Sequence, residues 1–214
     1  MRPSRLKLII LMPCALLFLL LGCLGPTKSR PTRFYVLTSL NSAKTRPAPV
    51  ANLKNVAIGV GPVRISGKLD RPQIVTATGE NEIRLSEFAQ WGDPLGAGFA
   101  RVLAENLSVL LNTTNVAIFP WLQATRTDYQ VTVDVTDFIG TPGGDVLLRA
   151  WWTIFGENGR TELLKRYANL AEPVTGDDIA AMVKVQSHAV EMLSRQIAEA
   201  IKALTAGDNP ATIK

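Results

Sequence analysis

Tyr129-Gln130-Val131-Thr132-Val133-Asp134-Val135-Thr136 alternates apolar and polar residues without a break. That is the period of two that gives a strand one buried and one wet face. Pro142-Gly143-Gly144 then supplies a turn, and residues 146–155 read as the return strand. Asn158-Gly159 makes a second turn into a third strand over residues 161–170. Three consecutive antiparallel strands form a meander, and the rest of the chain must pack on or beside it. Adjacent Trp151 and Trp152 on the middle strand must point to opposite faces. At least one therefore turns from the core side of the meander, either to lie beneath a helix or to meet a partner.

Downstream, Thr175-Gly176-Asp177-Asp178 caps a helix over residues 179–204, with Gly207 just past its end. Ile179, Met182, Val183, Val190, Leu193, Ile197, Ile201 and Leu204 fall on one side, while Lys184, His188, Glu191, Arg195, Glu199 and Lys202 follow the other. At 1.5 Å per residue this helix runs roughly 39 Å, enough to cross a sheet. Val185 and Met192 lie off the main stripe, which leaves a broad core face or a second interface open.

Upstream, Asp93-Pro94 opens a first helix as an N-cap acid and a proline at the first helical position. Leu95, Phe99, Val102, Leu103, Leu107, Leu110 and Leu111 recur at helical spacing, and Arg101 and Glu105 form an i,i+4 pair on the other side. Trp91, just before this cap, reads as a staple onto the helix. Residues 112–115 end the helix and 116–119 begin the next strand. Further strands are expected at 34–37, as a buried aromatic run, at 56–63, at 73–78 after a Ser66-Gly67 turn, and at 82–85, half exposed. Residues 41–52, with Pro47 and Pro49, have no periodicity and read as an exposed loop. The expected class is α/β in the α+β sense: a single two-layer domain over residues 34–206, its mixed sheet holding an antiparallel meander with two main helices packed on it. Residues 207–214 are expected to be a disordered tail.

The N-terminus carries a different message. Arg2, Arg5 and Lys7 precede an apolar run over residues 8–21, and Leu20-Leu21-Gly22-Cys23 closes it with a small residue before cysteine. This is the layout of a bacterial lipoprotein signal, with a plain cleaved secretion signal as the alternative. A transmembrane span needs about 20 apolar residues, and this run is shorter and interrupted by Pro13. Residues 1–22 are then signal peptide, Cys23 is the lipid-attachment residue and 23–33 form a flexible tether. Of the two cysteines, Cys14 leaves with the signal and Cys23 is consumed by its thioether, so no disulfide remains. The expected covalent group is a diacylglycerol and an N-acyl chain on Cys23, with no other cofactor.

The signal also carries three of the 23 basic residues, leaving 20 against 18 acidic ones. Lys and Arg are scattered and interleaved with acids, which argues against nucleic acid as a partner. Catalytic sets are missing too. The one histidine, His188, sits on the charged side of the last helix, where a hydrolase triad has no partners for it. The acids are dispersed apart from the helix-capping Asp177-Asp178, so no metal cluster is indicated. Gly59-x-Gly61 has no third glycine and no following helix, and there is no Walker motif.

Phe34-Tyr35-x-Leu37 soon after the expected lipidated cysteine, Val60-Gly61-Pro62-Val63, Leu69-Asp70-Arg71-Pro72-Gln73-Ile74-Val75, Trp91-x-Asp93-Pro94-Leu95 and Val131-x-Val133-x-Val135-x-x-Phe138 carry a family resemblance. In this order they resemble the ABC-type transport auxiliary lipoproteins, and within them the PqiC/YmbA branch of the paraquat-inducible intermembrane transport system. The resemblance implies a single α/β domain, attachment to the inner leaflet of the outer membrane, and no catalytic residue. It also implies a place beside an MCE-domain protein that spans the periplasm, and that protein's inner-membrane partner. Leu24 after the cysteine fits outer-membrane sorting.

Three functions are therefore open: a docking subunit of the MCE system, a lipid-binding protein that accepts cargo in an apolar pocket, or an envelope-assembly activator. For docking, the candidate residues are Leu69, Asp70, Arg71 and Pro72 with Trp91, Asp93 and Pro94, where caps and turns explain only part of the composition. The sequence leaves open whether the domain acts singly or as a homo-oligomeric ring.

Overall fold

In a computed structural model, residues 30–42, 48–79, 81–121 and 126–207 are described. The signal peptide, Cys23, most of the tether and the tail beyond Gly207 lie outside the described residues. The second of the chain's two units, Thr32–Lys214, holds the elements below.

The meander forms where the alternation places it: β6 (Tyr129–Gly140), β7 (Asp145–Gly156) and β8 (Thr161–Pro173) pair antiparallel along nearly their full lengths. β1 (Arg33–Tyr35), β2 (Ile58–Ile65), β3 (Gln73–Ala77), β4 (Ile83–Trp91) and β5 (Val116–Ile118) complete an eight-stranded mixed sheet. Its order runs β1-β4-β3-β6-β2-β5, with β7 and then β8 beyond β6. The long β6 makes this possible. One edge takes β7, while the other takes β2 in parallel up to Val135 and then β3 at Gly140. A register shift between Val60 and Val63 carries Gly61 at φ 118°. A Cβ there would meet Phe119 Cβ at 2.7 Å, so only glycine fits.

Two helices, α1 (Leu95–Leu111) and α2 (Ile179–Ala206), cover one face of this sheet. All seven apolar positions read on α1 are buried, and Phe99 meets Phe138 of β6 edge-on at 5.6 Å between centroids. Asp178 caps α2 by accepting from Ala181 N at 2.7 Å, and Gly207 closes it at φ 78°. Val185 packs against the core as a half-buried residue, so the broad core face is the reading that holds for it. Among the described residues, no helix is long and apolar enough to cross a membrane.

Several expectations need correction. The first strand is not a buried run. It covers only Arg33–Tyr35 at the sheet edge, leaving Phe34 67% exposed while Tyr35 and Leu37 turn inward. An edge strand paired with one neighbour buries alternate residues, not all of them. β4 runs on to Trp91 because Ala89, Gln90 and Trp91 pair with β1, so Trp91 ends a strand and does not sit in a loop. The N-cap of α1 is Pro94, with no side-chain cap, and Asp93 does not fill that role.

The segment 41–52 is also not simply an exposed loop. It opens as a single 3₁₀ turn, Leu40–Ser42. Its far end docks on α1, where Val50 N and Ala51 N donate to Leu110 O and Leu53 N to Leu111 O. These bonds satisfy carbonyls that the end of a helix otherwise leaves open.

Candidate docking cleft

The turn after β2 is tight. Leu69 N and Asp70 N both donate to Ser66 O, at 2.8 and 3.1 Å, and Arg71 N donates to Leu69 O at 2.9 Å. Leu69 plugs the turn into the core and is fully buried, while Asp70 is exposed and Arg71 half-buried. Across from it, Trp91 ends β4 at 8% exposure, and Gly92 N is tied to Tyr35 O at 2.7 Å before Pro94 starts α1. A bond of 2.7 Å from Trp91 N to Pro72 O joins the two segments.

Between them lies a cleft of about 280 Å³, with Asp70, Arg71 and Pro72 on one wall and Trp91, Gly92, Asp93, Pro94 and Leu95 on the other. The structure thus brings together six of the seven docking candidates read from the sequence. The seventh, Leu69, lies beneath and supports them. Gly92 and Leu95 were missed as lining residues, since a loop glycine and a helix-core leucine carry no surface signal.

Apolar Pro72, Trp91, Pro94 and Leu95 line the cleft together with charged Asp70, Arg71 and Asp93. Asp93 Oδ2 stands 4.0 Å from Arg101 Nη2, while Arg101 also donates to Leu37 O at 3.0 Å and to Glu105 at 3.3 Å. Arg71 Nη2 donates to Gly67 O at 3.4 Å, and Arg71 Nε is buried with no hydrogen-bond partner among the described residues.

The other singled-out residues lie elsewhere. Trp152 is buried on the helix face at 1% exposure, and Trp151 is 45% exposed on the opposite face. There Trp151 stacks with Tyr167 at 5.0 Å, with Lys165 Nζ 5.4 Å above its ring. Trp121 stands edge-on to Phe119 at 5.5 Å. His188 is exposed and 3.4 Å from Glu191. Together with Lys184, Ser187 and residues 38–40 it lines a cleft of about 360 Å³ that sequence spacing could not reveal. Among the described residues no group of three or more His, Cys, Asp or Glu could hold a metal ion.

A crystal structure of an uncharacterized protein matches with a TM-score of 0.65 and 22% identity, covering 80% of this chain and 99% of that one. The crystal structure of protein XCC0632 from Xanthomonas campestris matches with a TM-score of 0.64 and 16% identity, covering 78% of this chain and 93% of that one. At these identities the likeness is one of fold. No curated protein matches the sequence. The model of the ABC-type transport auxiliary lipoprotein component matches residues 35–198, from the first strand through most of α2, and on that span the chain belongs to this family of transporter accessory lipoproteins.

Proposed function

We propose that the protein is the non-catalytic docking subunit of an MCE-type intermembrane lipid transport system. Lipid on Cys23 holds it at the periplasmic face of the outer membrane, and the cleft between residues 70–72 and 91–95 receives the periplasm-spanning partner. The observation that carries this reading is the Trp91 N to Pro72 O bond, which holds the two motifs side by side at the open end of the β3–β4 hairpin and makes one concave surface of them. The family's description as a transport auxiliary component supports a transporter as the partner. Lipid anchoring fits the role, because two or more acyl chains hold a protein stably at a membrane.

The test is purification of the tagged full chain from envelope membranes in mild detergent. The expected result is recovery of an MCE-domain protein together with its inner-membrane partner. Recovery of the chain alone, with those proteins expressed, overturns the proposal.

A further inference from the structure

The sheet face opposite the helices has two unlike parts. Over β2, β6 and β7 it is polar and paired: Arg64 bridges Asp134 at 2.9 Å, and Asp137 takes both Lys68 and Arg149. Over β1 and β4 it is apolar. Phe34 lies beside Gln90, on the side away from buried Ala89 and Trp91, and alternation along the strands puts Phe88 and Val36 on that same side. Thr76 pairs with Gly140, which lies against Met182 of α2, so its neighbours Val75 and Ala77 face away from the helices. They pair with Leu85 and Ile83, which carry the apolar strip along β4.

Phe34 is 67% exposed, Val36 49%, Ile83 43%, Leu85 41% and Phe88 39%. Half of the ten large hydrophobic side chains exposed among the described residues thus gather on this one corner of the sheet. A contiguous exposed apolar patch marks a surface that meets something else. Arg33, Arg84, Glu82 and Glu87 lie on the same two segments, and among the described residues none of the four is in an ion pair. Two cations against two acids leave the corner without net charge.

The course of the chain says what the patch meets. β1 runs parallel to β4 and pairs only with its last three residues, so the chain enters β1 from the side where β4 begins, at Ile83 and Leu85. Ten peptide units separate Arg33 from Cys23, at most about 35 Å when fully extended. A covalent tether of that length keeps the patch at high effective concentration beside whatever surface holds the lipid. We infer that Phe34, Val36, Ile83, Leu85 and Phe88 insert into the headgroup boundary of the bilayer that holds the lipid of Cys23, as a second attachment beside the acyl chains. This rests on the lipid anchor proposed above and is independent of the docking cleft. With no net charge to contribute, the contact is apolar and salt leaves it intact.

The mature full chain, carrying Leu85→Cys or Tyr167→Cys and labelled there with a nitrobenzoxadiazole probe, is reconstituted through its own lipid into phosphatidylethanolamine–phosphatidylglycerol vesicles, diluted so that most hold a single chain. Doxyl-labelled lipid should quench the probe at residue 85 at least about threefold more than the probe at residue 167, which sits on the paired, polar part of the same face. Phe34→Ser combined with Phe88→Ser should remove about half of that contrast or more, and about 0.5 M salt should leave it unchanged. Equal quenching at the two positions, a contrast that ignores the serine pair or one that salt abolishes overturns the inference. So does a contrast that appears only when chains are crowded on the vesicle, which assigns the patch to a second copy. Labelled palmitate separates the two levels of failure: a chain that takes up none overturns the anchor and this inference together, whereas an acylated, vesicle-bound chain with equal quenching overturns the inference alone.

Discussion

Asn106 on α1 and Ser194 on α2 share a buried hydrogen bond, Nδ2 to Oγ, of 3.1 Å. The other end of the same amide accepts from Leu40 N at 2.8 Å, and Ser194 Oγ gives its own proton to Val190 O at 2.7 Å. One polar side chain thus ties both helices to the 3₁₀ turn that follows β1. Such a network is stabilising because it is satisfied, and the low dielectric around it makes a missing member costly.

Asn106→Ala should therefore destabilise the fold by about 1–3 kcal/mol, because it leaves the Leu40 amide buried without an acceptor. Ser194→Ala should cost less, since it removes an acceptor whose loss affects only one arm of the amide. Urea unfolding of the two variants checks the order, and a smaller loss for Asn106→Ala than for Ser194→Ala refutes this account.

Neighbouring tryptophans should behave in opposite ways. Trp152→Ala empties a buried site on the helix face and should cost about 3–5 kcal/mol. Trp151→Ala gives up only an exposed stack on Tyr167 and Lys165 and should cost about 1 kcal/mol or less. Thermal melts of both variants decide it.

The two helix starts should also differ. Asp178→Ala loses the bond to Ala181 N and should cost about 1 kcal/mol. Asp93→Ala touches no cap and should fall within about 0.5 kcal/mol of wild type. Equal losses at the two positions would restore Asp93 as a cap.

Close approach of α2 to the sheet leaves no room at Gly140, where a Cβ would stand 2.7 Å from Met182 Cγ and 2.9 Å from Val146 Cγ2. Gly140→Ala should cost about 1–3 kcal/mol through overpacking. Combination with Met182→Ala should recover part of that loss, so a double-mutant cycle should give a favourable coupling. Simple additivity of the two losses would place the strain elsewhere.

Cys23→Ala should abolish incorporation of labelled palmitate and release the protein from the membrane fraction, because no other cysteine remains after the signal. Retained label or unchanged fractionation of the variant removes the lipid anchor from the proposal.

The sequence made some features legible and hid others according to how far apart the interacting residues lie. The meander was readable because Val131, Val133 and Val135 alternate with polar residues, and because Gly143-Gly144 and Asn158-Gly159 are turn residues by their own backbone preferences. The buried stripe of α1 and the Asp178 cap were readable for the same local reason. Phe34 was misread because composition shows that a residue is apolar, not that its strand has only one neighbour. Asp93-Pro94 was misread because a cap depends on which residue first adopts helical angles, and Pro94 is still at ψ 128°. The docking of residues 50–53 was invisible because its partners, Leu110 and Leu111, lie about 60 residues away.

By itself the sequence determined the meander, the two amphipathic helices and the residue types found in the cleft. These follow from hydrophobic period, turn chemistry and motif, each set by contacts within a few residues. Tertiary structure alone decided that β6 shares one edge between β2 and β3, that the 69–72 turn meets the end of β4, and that Arg71 Nε is buried without a partner among the described residues. Those outcomes depend on which distant segments bury one another, and the hydrophobic effect that drives such burial is non-directional.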